Sequence, residues 1–312
     1  MKSKILITAK AHPILQEEFL SLGFDVDVNE KISYQELLQC VHIYSGLIIT
    51  TRLQIDAQVL KNADQLKWIG RLGSGMEIID VEFAEKKGIQ CFSSPEGNRD
   101  AVGEQAIGML LSLMHNIAKS SKEVCEEKWI RDENRGTELG GKTVGIIGLG
   151  NTGSAFAKRL SCFDVRVLAY DKYKSGFSGE HIIESSLQEL VLESDVISLH
   201  IPLNEETHHF VNSAFFKSLK RQPYFLNLSR GGVVNTMALI DALDNGWIRA
   251  AGLDVLENED ITHYTLEEKS ILRNLCNRGN VLITPHIGGY SHESFLRMAT
   301  VLLNKLKTAF QW

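Results

Sequence analysis

Short apolar runs alternate with stretches of helical periodicity along most of this chain. Lys4–Thr8 reads as a strand, His12–Leu22 as a helix and Phe24–Val28 as a second strand. Leu47–Thr50 and Leu66–Gly70 read as two more strands, with helices around Tyr34–Cys40 and Asp56–Ala63. A short helix over Val81–Lys87 is closed by Gly88, and Ile89–Cys91 follows as a strand. Apolar strands separated by helices predict a parallel sheet covered on both faces.

The rhythm breaks after Asn98. Asp100–Ser120 reads as one long helix with Ala101, Ala106, Ile107, Met109, Leu110 and Leu113 on several sides, a pattern that implies burial. A charged segment, Lys122–Glu138, leads into a second alternation. Its strands are Thr143–Gly148, Val165–Tyr170, Val196–His200, Tyr224–Asn227, Ala250–Leu253 and Val281–Thr284, and an amphipathic helix over Ser291–Phe310 ends the chain. Two α/β domains are expected, with a boundary near Asn98.

Composition narrows the classes. Of 312 residues 44% are hydrophobic and 23% charged, which suits a folded chain. Lys and Arg number 33 against 39 Asp and Glu, a formal charge of −6, so no basic surplus points to nucleic acid. The five cysteines (40, 91, 125, 162, 276) form no Cys-x-x-Cys and are odd in number. Reduced thiols in a cytoplasmic protein are expected rather than disulfides or zinc. The first apolar run is too short for a signal peptide, and no apolar stretch reaches ~18 residues, so no membrane association is expected. His208 and His209 are adjacent and would face opposite ways on a strand, with no third ligand at metal spacing, so no metal is expected.

Two glycine motifs differ in context. Gly136–Thr143 fits G-x-x-x-x-G-K-[ST], but a charged loop precedes it and a strand follows, the reverse of a phosphate loop. Gly148-Leu149-Gly150-Asn151-Thr152-Gly153 closes a strand and opens a helix, as dinucleotide binding requires. Gly148 allows the tight turn, Gly150 leaves room for a pyrophosphate, and Gly153 lets helix and strand pack closely. Asp171 ends the next strand, 18 residues past Gly153. A carboxylate there accepts ribose hydroxyls and repels a 2′-phosphate, so NAD is the expected cofactor, a preference weakened by Lys172 and Lys174.

Three later strands end in chemistry-bearing residues: Asn227-Leu228-Ser229-Arg230-Gly231-Gly232, Asp254 through Glu259, and Thr284-Pro285-His286-Ile287-Gly288-Gly289. Taken with the glycine motif, these segments and His200-Ile201-Pro202-Leu203 resemble the D-isomer-specific 2-hydroxyacid dehydrogenases over nearly the whole chain. The resemblance places the catalytic Arg, Glu and His on Arg230, Glu259 and His286. Glu257 is the rival acid, but the family's spacing selects the residue 29 positions after Arg230. Arginine suits the substrate carboxylate and C2 oxygen, histidine the hydroxyl proton, and glutamate the imidazole.

The same resemblance implies further roles. Arg71-Leu72-Gly73-Ser74-Gly75 would be the substrate-carboxylate loop, with Ser74 also near the cofactor. Asn151 and Thr152 would face the pyrophosphate, Ile201 the ribose, and Leu228, Ser229 and Asp254 the nicotinamide end, with Arg230, His286 and Gly288 as further cofactor contacts. The implied fold is two Rossmann-like doubly wound parallel-sheet domains with a cleft between them. Residues 1–98 plus 285–312 would form the substrate domain. Residues 99–284 would form the NAD-binding domain, including a dimerisation arm at about 100–140. Three departures stand out: Ile78 where a helix-start asparagine is usual, Asp260 where proline follows the glutamate, and a long 260–280 segment with an extra helical pattern over Thr265–Cys276.

Among family members the chain looks most like D-3-phosphoglycerate dehydrogenases. Arg52, Arg71 and Arg131 would then hold the substrate phosphate, Arg131 across a homodimer, although Thr50 stands where another arginine is common. The substrate expected is D-3-phosphoglycerate or 3-phosphohydroxypyruvate, a step of serine biosynthesis. The alternatives are an unphosphorylated acid such as glycerate or lactate, or a non-catalytic NAD-sensing protein. The chain has no counterpart of a serine-binding domain after Phe310, so inhibition by serine is not expected.

Overall fold

The computed structural model describes residues 3–312. They form two compact units, one running through Arg99 and resumed at Tyr290–Trp312, the other Asp100–Gly289. In chain order the elements are β1 (Lys4–Ile7), α1 (Ile14–Ser21), β2 (Asp25–Val28), α2 (Tyr34–Cys40), β3 (Gly46–Ile49), α3 (Ala57–Lys61), β4 (Trp68–Arg71), α4 (Val81–Lys86), β5 (Gln90–Ser93) and α5 (Pro95–Met114). Then come α6 (Ile117–Cys125), β6 (Thr143–Ile147), α7 (Asn151–Leu160), β7 (Arg166–Tyr170), β8 (Ile183–Glu184), α8 (Leu187–Glu193), β9 (Val196–Leu199), α9 (Ser213–Ser218), β10 (Tyr224–Asn227), α10 (Thr236–Asp244), β11 (Ala250–Leu253), α11 (Leu266–Cys276), β12 (Val281–Ile283) and α12 (His292–Phe310).

The first unit holds a parallel sheet of order β2-β1-β3-β4-β5. Alternation along each strand sends side chains to two core layers. Leu6, Leu47, Ile49 and Ile69 pack with Leu37, Val59 and Leu60 on one face. Ile5, Ile7, Ile48 and Trp68 pack with Leu15, Phe19 and, from α12, Leu302, Leu303 and Leu306 on the other. Asp80 caps α4, its carboxylate accepting from the Phe83 N–H at 3.0 Å, so the cap lies two residues beyond Ile78.

The second unit holds a seven-stranded parallel sheet of order β12-β11-β10-β9-β6-β7-β8. The order reverses between β6 and β9, the switch point beyond whose strand ends open α/β sheets bind ligands. Fully buried Ile147, Ile197, Phe216, Phe225 and Ala251 form one layer. Ala106, Leu110, Ile146, Phe156 and Leu226 form the other.

Two expectations need correction. The long helix expected over Asp100–Ser120 is two helices, α5 and α6, because Asn116 between them takes a left-handed backbone (φ 52°), which asparagine tolerates better than most residues. β8 was not anticipated: two residues paired to β7 are too short to leave a periodic pattern. The extra helical pattern is realised as α11, capped by a reciprocal Thr265–Glu268 box. Among the described residues no helix is long and apolar enough to cross a membrane.

Candidate active site

The glycine loop follows β6 at the switch point. Gly148 has φ +92°, and a side chain there would run into the His200 carbonyl. Gly153 lies against the Gly148 carbonyl, where any Cβ would collide, so α7 packs directly on the strand end. Gly150 meets nothing: a Cβ there would point into open space. It is the N-cap of α7, whose free N–H groups favour an anion. An open face over a glycine at a helix start fits a dinucleotide pyrophosphate.

Asp171 binds this loop from β7. One carboxylate oxygen accepts from the Leu149 N–H at 2.9 Å and the other from the Tyr173 N–H at 3.0 Å, and each keeps acceptor capacity for a ribose hydroxyl. Thr152 turns its hydroxyl inward, 3.2 Å from His200 Nδ1, while His200 Nε2 lies 2.9 Å from Ser198 Oγ. Burial holds the His200 imidazole down at about 3, so it serves as a neutral strut between β9 and α7. In the sequence His200 stands out only as part of the family resemblance. Ile201 lies half-buried beside Gly148.

Three neighbouring strand ends carry the remaining candidates. After β10 the Asn227 side chain shapes the turn: its Oδ1 accepts from the Ser229 N–H (3.0 Å) and Oγ–H (2.8 Å), and its Nδ2 donates to the Arg230 carbonyl (3.0 Å). Arg230, half-buried, donates one N–H to the Ser229 carbonyl at 2.8 Å. Leu228 and Ser229 are buried. Gly231 packs so closely on the Leu256 carbonyl that no side chain fits.

After β11 the two candidate acids diverge. Glu259 Oε2 lies 2.8 Å from His286 Nδ1. Glu257 bonds His209 Nε2 through one oxygen and accepts the Thr236 N–H, at the start of α10, through the other at 2.7 Å. His209 has φ 50° and its ring stacks on His208 at 4.0 Å, so the two histidines sit in a turn and share a face, contrary to the strand expectation. No cluster able to hold a metal ion exists among the described residues.

Asp254 organises the histidine loop. It is 2% exposed and accepts from Thr284 Oγ1 (2.5 Å) and the N–H groups of Ile287 (2.9 Å) and Gly288 (2.7 Å). Its own carbonyl accepts the His286 N–H at 2.8 Å. These bonds hold His286 at φ 54°, a conformation costly for most residues. A Cβ on Gly288 would fall 2.8 Å from the Asp254 carboxylate. Asp254, expected at the nicotinamide end, and Gly288, expected to bind the cofactor, form the mount for the histidine.

In the first unit, Ser74 donates to Asn98 Oδ1 at 3.1 Å, and half-buried Gly75 follows it on the loop after β4. Arg71 is 3% exposed, and its guanidinium lies where a side chain on Gly73 would be. Arg52 donates to the carbonyls of Ile32 (2.7 Å) and Thr8 (2.5 Å). In the second unit, Arg131 is exposed at the start of a one-turn helix, Asp132–Asn134.

A glycine loop at the switch point, with Arg, Glu and His beyond three adjacent strand ends, is the arrangement of a dinucleotide-binding α/β domain that carries candidate catalytic groups. Residues 107–288 match the model of the D-isomer specific 2-hydroxyacid dehydrogenase NAD binding domain. The chain is 34% identical to a D-3-phosphoglycerate dehydrogenase of Archaeoglobus fulgidus, covering 96% of this chain and 56% of that one. It is also 34% identical to a hydroxypyruvate reductase of Thermotoga maritima, covering 89% of each. A crystal structure of D-lactate dehydrogenase from Aquifex aeolicus complexed with NAD and lactic acid superposes with a TM-score of 0.85 at 28% identity, over 99% of this chain and 96% of that one. The chain belongs to the D-isomer-specific 2-hydroxyacid dehydrogenase family, and the stretch that matches its NAD-binding domain model lies within the second unit. It spans about half the length of the D-3-phosphoglycerate dehydrogenases it matches.

Proposed function

We propose that this chain interconverts a D-2-hydroxy acid and its 2-keto acid with NAD as the redox partner. The observation that carries the reading is the 2.8 Å pair of His286 Nδ1 and Glu259, mounted on the sheet edge that also bears the glycine loop. With Nδ1 on the glutamate, Nε2 is the nitrogen left to exchange a proton with the substrate. In oxidation His286 Nε2 takes the hydroxyl proton while C2 gives up its hydride; in reduction it returns the proton to the carbonyl oxygen. Arg230 carries the donors that hold the substrate carboxylate and polarise the C2 oxygen. Glu259 stabilises the imidazolium as it forms. Bound NAD supplies the hydride acceptor. Gly148 to Gly153 and Asp171 hold its pyrophosphate and ribose, with Ile201, Leu228 and Ser229 as further contacts.

On the substrate, the phosphorylated reading needs Arg52, Arg71 and Arg131. Against it, Arg52 already clips two backbone carbonyls and Arg71 is buried under Gly73. These engagements favour the unphosphorylated reading, and relatives include a hydroxypyruvate reductase and a glyoxylate reductase. The test is NADH turnover with glyoxylate, hydroxypyruvate, pyruvate and 3-phosphohydroxypyruvate. A kcat/KM advantage of the phosphorylated acid that Arg131→Ala removes would restore the phosphoglycerate assignment. NADH binding with no turnover of any acid would make the chain a sensor. The arm is proposed to pair two copies: α6 buries none of its residues, and Trp129 is 81% exposed. Trp129→Asp should then yield monomers by light scattering.

A further inference from the structure

The loops after β7 and β9 flank the glycine loop, because β6 lies between those strands. Glu206, on the loop after β9, reaches the loop after β7. One oxygen of its carboxylate accepts from Lys172 Nζ at 2.7 Å and from the Tyr173 hydroxyl at 2.6 Å. Lys172 Nζ also sits 5.5 Å from the centroid of the Tyr173 ring. Lys174 donates to the Leu149 carbonyl at 2.8 Å. Both lysines that follow Asp171 are thus committed, one to Glu206 and one to the glycine loop itself.

Within this set of contacts two carboxylates, Asp171 and Glu206, stand with two ammonium groups, Lys172 and Lys174, and Glu205 adds a further exposed carboxylate on the same loop. The set lies where the adenosine ribose of a dinucleotide would meet Asp171. A 2′-phosphate entering there would seek a cation, and the nearest by sequence, Lys172, is already paired. The Lys172 and Glu206 side chains are each 56% exposed, so their pairing adds little to stability. Its consequence is to fix which charges an incoming nucleotide meets.

We propose that Glu206 is a specificity-determining residue: by holding Lys172 it denies a 2′-phosphate its cation and so reinforces the preference of Asp171 for NAD. This rests on the NAD-dependent reading and deepens it. Without Glu206 the corner loses one negative charge, and Lys172 is released to turn toward the phosphate.

The test is nucleotide binding, followed by fluorescence titration with NADH and NADPH. The proteins are the wild type, Glu206→Gln, Glu206→Ala, Lys172→Ala and the double variant Glu206→Ala/Lys172→Ala. Both Glu206 variants should shift the NADPH-to-NADH affinity ratio toward NADPH, by about tenfold for Glu206→Ala, and added salt should erode the gain. Lys172→Ala alone should leave the ratio unchanged or move it further toward NADH, since it frees the Glu206 carboxylate, and the double variant should return it to the wild-type value. A ratio within twofold of wild type in both Glu206 variants overturns the proposal. So does a gain that survives loss of Lys172, which would assign the effect to the missing carboxylate alone. A wild type that binds neither nucleotide would instead overturn the NAD reading beneath it.

Discussion

Two glutamates two positions apart serve different histidines. Glu259 meets His286, whereas Glu257 ties His209 to the start of α10. Spacing alone cannot separate them, since both lie on one irregular loop; the division depends on which partner each finds across the fold. Removing the imidazole, His286→Ala, should lower kcat roughly 10²–10⁴-fold through lost proton transfer, with NADH affinity largely kept. A loss under tenfold would move the proton elsewhere. Glu259→Gln should lower kcat in steady-state assays, because the imidazole loses the carboxylate that orients it. Glu257→Gln, whose carboxylate serves His209, should leave kcat in place. Resemblance assigns roles to Arg230, Glu259 and His286 and names Asp254 as a nicotinamide neighbour, but the mounting of the histidine by Asp254 and the neutral strut at His200 are not legible in the sequence. Buried polar partnerships leave no periodic trace in a chain. His200 also sets an acid limit. Its folded-state value of about 3 lies below the usual 6.5, so below pH 6.5 the unfolded chain takes up a proton that the folded chain refuses. Its effect is absent above that pH, and stability falls as pH drops from 6.5 toward 3, by up to about 1.4 kcal/mol per pH unit from this one group. Urea unfolding at pH 7 and pH 5 should show a shallower pH dependence in His200→Gln than in the wild type.

At the level of elements, strands and helices with clean punctuation were legible. Tyr34–Cys40, Tyr224–Asn227 and Ala250–Leu253 fall where periodicity set them, because Ser33 caps the first and the two strands are wholly buried. The break between α5 and α6 was not legible, since Asn116 is no stronger a helix breaker than its neighbours until its backbone turns left-handed. Asn116→Val should cost about 1–2 kcal/mol in unfolding free energy, and Asn116→Gly should not. Where α5 begins, Gly97 lies so near α12 that a Cβ would come within 2.5 Å of the Met298 backbone. Backbone cannot yield as a side-chain tip does, so Gly97→Ala should lose on the order of 1–3 kcal/mol in chemical denaturation. A neutral outcome would mean that α12 can slide.

For the whole molecule, the sequence disclosed two α/β units because each repeats strand and helix at regular spacing. It did not disclose that Arg52 would be spent on the carbonyls of Thr8 and Ile32, since an arginine after a strand looks the same whether it awaits a ligand or clips a loop. Ligand linkage gives a test at this scale. NADH at a hundred times its dissociation constant should stabilise the fold by about 2.7 kcal/mol, with hydrogen-exchange protection rising in Gly148–Leu160. An unchanged exchange pattern there would remove the glycine loop from the binding account.

The return of α12 to the first unit has a consequence for the order in which the protein is made. Ile5, Ile7, Ile48 and Trp68 form one face of the first sheet, and Leu302, Leu303 and Leu306 cover them. On the ribosome that face leaves the exit tunnel early, yet its cover is translated only after the whole of Asp100–Gly289. At roughly 5–20 residues per second the wait is on the order of 10–40 s. The second unit, contiguous in sequence, can finish folding in that interval, while the nascent first unit shows an uncovered apolar surface of the kind that chaperones bind.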